Sequence, residues 1–196
     1  SVNEAAGRLE LANFWEVLFN PFAWHQYIHV VIGSYILGGF FVMGVSGWHI
    51  MRKNEVDFFK RSFRMATIFA MVCSFILVAQ GHMHGSEVAH KQPAKLAAME
   101  SHWETQTNAP QYLFLIPDPE NEKNLVEILP IPGGLSMLAF HDPNAEVQGL
   151  KDFPKEDRPP VTLTFLAFRG MVGLGFLFPL LCIWAFLRRN KLEESK

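Results

Sequence analysis

The sequence predicts an all-α integral membrane protein: three transmembrane helices with a long extracytoplasmic loop, forming part of a larger helical bundle. Three observations carry this. Of the 196 residues, 49% are hydrophobic and only 18% are charged, against about 25% charged in an ordinary soluble chain. Three apolar runs, Tyr27 to Trp48, Phe63 to Gly81 and Val161 to Leu187, hold almost none of that charge. Each reaches the length of about 20 residues that a helix needs to cross the hydrocarbon layer. A soluble chain of this size cannot supply a core large enough to bury three such helices.

The elements follow in order. Residues 1–21 form an extracytoplasmic segment. Within it Leu9 to Phe19, LELANFWEVLF, has apolar residues at helical spacing and reads as an interfacial helix. Asn20-Pro21 breaks that helix and restarts the chain. The spans are then drawn at 22–50, 63–81 and 161–187, with a link at 51–62, a loop at 82–160 and a tail at 188–196. Ser1 to Gly7 is neither basic nor apolar, so no cleavable signal peptide is expected.

Charge sets the orientation. The link carries Arg52, Lys53, Lys60 and Arg61, with Arg64 at the start of the second span, and the tail carries Arg188, Arg189 and Lys191. Both belong in the cytoplasm by the positive-inside rule, so the N-terminus and the acid-rich loop lie outside. The loop is too long for a plain connector, and its apolar patches Tyr112–Ile116 and Leu135–Phe140 argue for order. Cys73 and Cys182 both lie inside spans, where neither a disulfide nor a metal–thiolate site is expected.

Ionisable residues inside a membrane are costly and are functional candidates. His29 lies just inside the outer boundary of the first span, with His25 one turn earlier on the same face. Two readings stand: an imidazole hydrogen-bonded to a neighbouring helix, or a metal ligand. The third span holds Arg169 and, two residues on, Met171. A guanidinium within an apolar helix requires an anion, and haem propionates would supply one. Methionine opposite histidine is a known axial pair for haem iron. The chain has eight methionines, and packing accounts for most of them. Gly33, Gly38, Gly39, Gly170, Gly173 and Gly175 admit either close helix packing or a flat macrocycle.

Several stretches resemble subunit I of cytochrome bd quinol oxidase. Asn20-Pro21, His29 and GSYILGGFFVMGVSGW are similar to that family's fifth helix, and FFKRSFRMA at Phe58–Ala66 continues the match. QPAKLAAMESHWET, Gln92 to Thr105, is similar to the start of the family's quinol-binding loop, and Gly149-Leu150-Lys151 also fits. FLAFRGMVGLGF, Phe165 to Phe176, resembles the helix after the loop, with its pattern FAFR-x-M. The resemblance covers nearly the whole chain in order.

The resemblance implies that His29 and Met171 are the axial ligands of a low-spin haem b, and that Arg169 steadies its reduced form. It implies that Lys95 and Glu100 take part in quinol oxidation. A carboxylate beside the ring can accept a proton and a lysine can hydrogen-bond a ring oxygen, although on a solvated helix both are equally readable as surface charge. The implied partners are a quinol (ubiquinol or menaquinol), the oxidase's subunit II and membrane lipids, with no nucleic acid, in a bacterial or archaeal cell membrane. The loop is of the short class.

Two departures matter. Where many members carry Gly-Asp-x-Ser-Gly, this chain has Gly81-His82-Met83-His84-Gly85. The spacing of His82, His84 and His90 fits no standard metal geometry. The helices that hold the family's oxygen-reducing haems are not among the matched stretches, so the expectation is a fragment of subunit I or a short homologue. It would bear one haem b, without the second haem b and haem d of the complete enzyme. The rivals are a haem-less scaffold and a dihaem b-type membrane anchor. His49 has no histidine on the other spans to pair with, which disfavours the anchor.

Overall fold

A computed structural model describes residues 2–3, 8–9 and 13–189. Val2–Asn3 (β1) pairs antiparallel with Arg8–Leu9 (β2). The first helix, α1, is Phe14–Leu18, shorter than the expected Leu9–Phe19. Leu9 sits in a strand and residues 10–12 lie outside the described residues. The reason is local: Asn13 is extended, and its side chain accepts from the Trp15 amide, which starts the helix there. Asn20 repeats the device for α2, Pro21–Met51, accepting from the Phe22 amide with Pro21 in the first turn. The Trp24 indole donates to the Leu18 carbonyl over 2.9 Å and ties α1 to α2.

A tight turn follows, with Lys53 and Glu55 at positive φ. Then α3 runs from Val56 to Lys91, well beyond the expected span of 63–81. The segment 82–91, expected to belong to the loop, is a continuation of this helix. It continues because it meets protein: Val88 and Ala89 are buried, and Ser86 donates to the Ala139 carbonyl. The last helix, α6, covers Val161–Arg188, within a residue of expectation. Three helices are thus long and apolar enough to cross a membrane, with mean hydropathies of 1.9, 1.9 and 2.1 in their most apolar windows.

α3 packs against both α2 and α6. The α2–α3 contact closes at Gly39, where a Cβ would stand 2.8 Å from the Ala70 Cβ, the small-residue packing that lets membrane helices approach. Met43, Ile50, Phe63, Ala66 and Ala70 form one core with Cys182 and Ala185. The end of α6 therefore lies at the end of the bundle that carries the α2–α3 turn. Outward faces remain apolar, with Leu37, Phe41, Leu163 and Leu187 each about 70% exposed. Such a surface is stable against lipid, not water.

The segment between α3 and α6 is an ordered cap. It begins with α4, Pro93–Glu100. A short strand, Gln106–Thr107 (β3), later pairs with Glu146–Val147 (β6). Between them come an antiparallel hairpin, Gln111–Asp118 (β4) and Lys123–Ile131 (β5), and a helix, α5, Gly134–Phe140. Two single 3-10 turns at 150–152 and 155–157 lead into α6. Gly149 is needed where it stands: a Cβ there would lie 2.4 Å from the Trp103 carbonyl oxygen. That close approach lets the Leu150 amide donate to His102 O (2.8 Å) and the Lys151 amide to Trp103 O (3.1 Å), fastening the end of the loop to its beginning.

Candidate functional site

His29 faces α3, not α6. Its Nδ1 lies 2.6 Å from Gln80 Oε1, and Gln80 Nε2 donates to the His25 carbonyl over 2.8 Å. The second bond decides the first. With the amide nitrogen committed to a carbonyl, Gln80 Oε1 must accept, so His29 carries its proton on Nδ1. In the neutral ring the lone pair is then on Nε2, the tautomer a metal-binding imidazole needs, with an acceptor fixing the other nitrogen. His84 completes this corner. Its ring lies 6.3 Å from His25, nearly parallel, and 6.0 Å from His29, and its buried Nε2 has no partner among the described residues.

On α6, Met171 is about half exposed, so its thioether is not locked into the core of this chain. Two residues earlier, Arg169 Nη2 donates to Glu100 Oε2 over 2.6 Å. The anion the guanidinium was expected to find in a haem is supplied here by the loop. The Arg169 Nε is buried with no partner among the described residues, leaving one donor directed elsewhere.

Glu100 is not a surface charge. It is the last residue of α4, 9% exposed, and takes a second bond from Gln111 Nε2 (2.8 Å), again at Oε2. Ser101, at φ 50, ends the helix directly after it. Burial pushes its carboxyl above the ordinary range. The Arg169 charge and the Gln111 and Arg169 hydrogen bonds oppose the shift.

Lys95 is exposed and points elsewhere. Five residues along a helix is about 140° around its axis, so the two side chains do not meet. Lys95 lines an open cavity of about 390 Å³ with Pro93, Phe153, Asp157 and Pro159. Glu100 lines another of about 330 Å³ with His102, Tyr112, Asn124, Glu127 and Lys151. Asn124 holds this second cavity together, its Oδ1 accepting from Ser101 Oγ (2.8 Å) and Trp103 Nε1 (3.0 Å).

The three histidines of the 82–90 stretch divide between two faces. His84 meets Phe22, His25 and His29 on α2. His82 and His90, eight residues apart on one face, meet His141 and Phe140 at α5. Among the described residues no group of three or more His, Cys, Asp or Glu forms a metal cage. His49 stacks on Phe59 at 4.1 Å.

A profile of the family described as cytochrome bd terminal oxidase subunit I matches residues 1–194. The chain belongs to that family. It is 36% identical to cytochrome bd ubiquinol oxidase subunit 1 of Bacillus subtilis strain 168, over 97% of this chain and 43% of the relative. It is 35% identical to cytochrome bd-II ubiquinol oxidase subunit 1 of Escherichia coli K12, over 78% of this chain and 30% of that one. A solved structure of bd oxidase from Geobacillus thermodenitrificans superposes with a TM-score of 0.82 at 29% identity, covering 95% of this chain and 42% of its own. The chain therefore spans less than half the length of the curated relatives it matches.

Cytochrome bd subunits imply haem, and the residues present fit one. With Nδ1 bonded to Gln80, His29 offers Nε2; Met171 is about half exposed; and the buried Arg169 Nε has no partner among the described residues. A Cβ at Gly33, Gly170 or Gly173 would meet nothing within 4 Å, so the backbone is open beside both candidate ligands. Sequence reasoning had missed Gln80, Gln111 and His141. Each is a lone polar residue whose partner lies 11 to 59 residues away, and a glutamine inside an apolar run was the one available signal.

Proposed function

We propose that this chain is the quinol-oxidising, haem b-binding part of subunit I of a cytochrome bd-type quinol oxidase. The observation that carries the reading is the Glu100–Arg169 pair. It joins the loop that resembles the quinol-binding loop to the helix holding Met171.

His29 and Met171 would hold the low-spin haem b through Nε2 and the thioether sulfur. When bound, the haem supplies a one-electron acceptor with its potential raised by the sulfur ligand. The chain's own residues do the rest. Gln80 keeps His29 in the ligating tautomer. Glu100, its affinity for protons raised by burial, accepts a quinol proton, and the polar lining of its cavity (His102, Glu127, Tyr112) conducts it towards water. Lys95 lines the separate cavity, where Pro93, Phe153 and Pro159 would take the apolar body of a quinol and its ammonium would hold a ring oxygen before the ring reaches Glu100. Proton release is outward: the basic turn Arg52–Lys53 and Arg188–Arg189 lie at the opposite end from this cap and belong in the cytoplasm. The substrate class is a quinol, in keeping with relatives named as ubiquinol and as menaquinol oxidases. Subunit II, the oxygen-reducing haems and surrounding lipid belong to the complete enzyme, in a bacterial or archaeal membrane.

The test is a reduced-minus-oxidised spectrum of the purified oxidase. His29→Ala and Met171→Leu should each remove the low-spin b-type signal. An unchanged signal in either variant overturns the ligand assignment, and no haem in the unaltered protein favours a scaffold.

A further inference from the structure

We propose that His82 and His141 form a binding site for a divalent transition-metal ion at the junction between α3 and the loop helix α5. Their Nε2 atoms lie 3.2 Å apart, their rings 5.2 Å apart at 77°. Two imidazoles sharing one tetrahedral ion at about 2.0–2.1 Å stand about 3.3 Å apart at those nitrogens and about 5.2 Å apart at their centroids. A collinear N–H···N bond of the same length would set the centroids at about 5.5 Å. The observed separations, 3.2 Å and 5.2 Å, match those of a pair sharing one ion. In the ion-free protein the two rings share a hydrogen bond.

The site is built on a fixed junction. Four residues after His82, Ser86 donates to the Ala139 carbonyl over 2.8 Å, and a turn later His90 packs edge-on against Phe140. His82, Ser86 and His90 thereby present one face of α3 to α5. On the other side His141 caps α5, its backbone held at φ 59 by a bond from its amide to Met137 O. Both imidazoles are exposed, so water can fill the remaining coordination positions. Two nitrogen donors and no carboxylate select zinc, copper, nickel or cobalt over magnesium or calcium.

Such an ion clips the loop to α3. The beginning of α5 packs against Gln111, where a Cβ on Gly134 would touch the Gln111 Cβ at 2.7 Å. Gln111 in turn donates to Glu100. Occupancy would therefore order the segment that holds the buried carboxylate, whether or not the haem reading is correct.

The experiment is calorimetric titration of ZnCl2 into the chelator-treated full oxidase, with hydrogen exchange followed over residues 134–141. One saturable zinc per subunit and slowed exchange are expected, both lost in His82→Asn and in His141→Asn. Unaltered absorption spectra and elution profiles establish that those variants remain folded. If the unaltered protein takes up no more zinc than the double variant, or if either single variant binds like the parent, the pair is a hydrogen bond and the proposal fails.

Discussion

Arg169 reaches from the third long helix to the end of the loop helix and donates to Glu100 across 2.6 Å. Each group explains the other. A guanidinium on an apolar helix requires an anion, and a carboxylate that is buried at a helix C-terminus requires a cation. Because Arg169 lies two residues from Met171, the loop carboxylate is mechanically tied to the helix that offers a haem ligand.

The first consequence is a pH profile. As a proton acceptor Glu100 works only when ionised, and burial raises its pKa. Quinol oxidation should therefore climb as pH rises through that elevated value. Glu100→Gln should cost about 10²-fold or more in turnover and remove this limb while leaving the haem spectrum intact. A steady-state assay across pH decides it, and full activity in the variant would reduce Glu100 to a structural role.

Removing the cation should move the same limb. Arg169→Met takes away the largest group opposing the shift, so the activity limb moves to more alkaline pH. Breaking a buried pair from one side also costs about 3 kcal/mol or more, visible as a lower melting temperature in detergent. A limb that stays put would show that Glu100 is not the titrating group.

Gln80 is the residue to change for the ligand tautomer. Gln80→Leu leaves His29 without its acceptor, and losses of this kind weaken metal binding by about 10–100-fold. The expected result is a haem more readily lost and a potential displaced upwards, since a less polarised imidazole stabilises the ferric state less. Gln80→Glu, which supplies a stronger acceptor but loses the bond to the His25 carbonyl, should restore haem retention and shift the potential downwards. Redox titration of the two variants makes the comparison.

Packing offers a test independent of cofactors. Gly39→Ala would place a methyl 2.8 Å from the Ala70 Cβ, and overpacking of this kind costs about 1–3 kcal/mol. Adding Ala70→Gly should recover most of it. Thermal unfolding of the single and double variants in detergent would show whether this contact holds α2 to α3.

The three helices were legible from residue order because crossing a membrane is a local requirement: about twenty apolar residues in a row, bounded by charge or by Asn-Pro. The ends were less legible. The second helix outlasts its apolar run by ten residues because Val88 and Ala89 pack under the loop, and that depends on a partner distant in sequence. His29, Arg169, Met171, Lys95 and Glu100 could be picked out as residue types in telling places. Their grouping could not. Sequence spacing set Lys95 beside Glu100 and His84 beside His82, and the fold separates both pairs, because neighbours in a helix point to different sides. Tertiary structure instead joined Glu100 to Arg169, His29 to Gln80 and His82 to His141. Each of these pairs spans 51 to 69 residues, and only the packing of α3 against α2 and of the loop against α3 and α6 brings such residues within bonding distance.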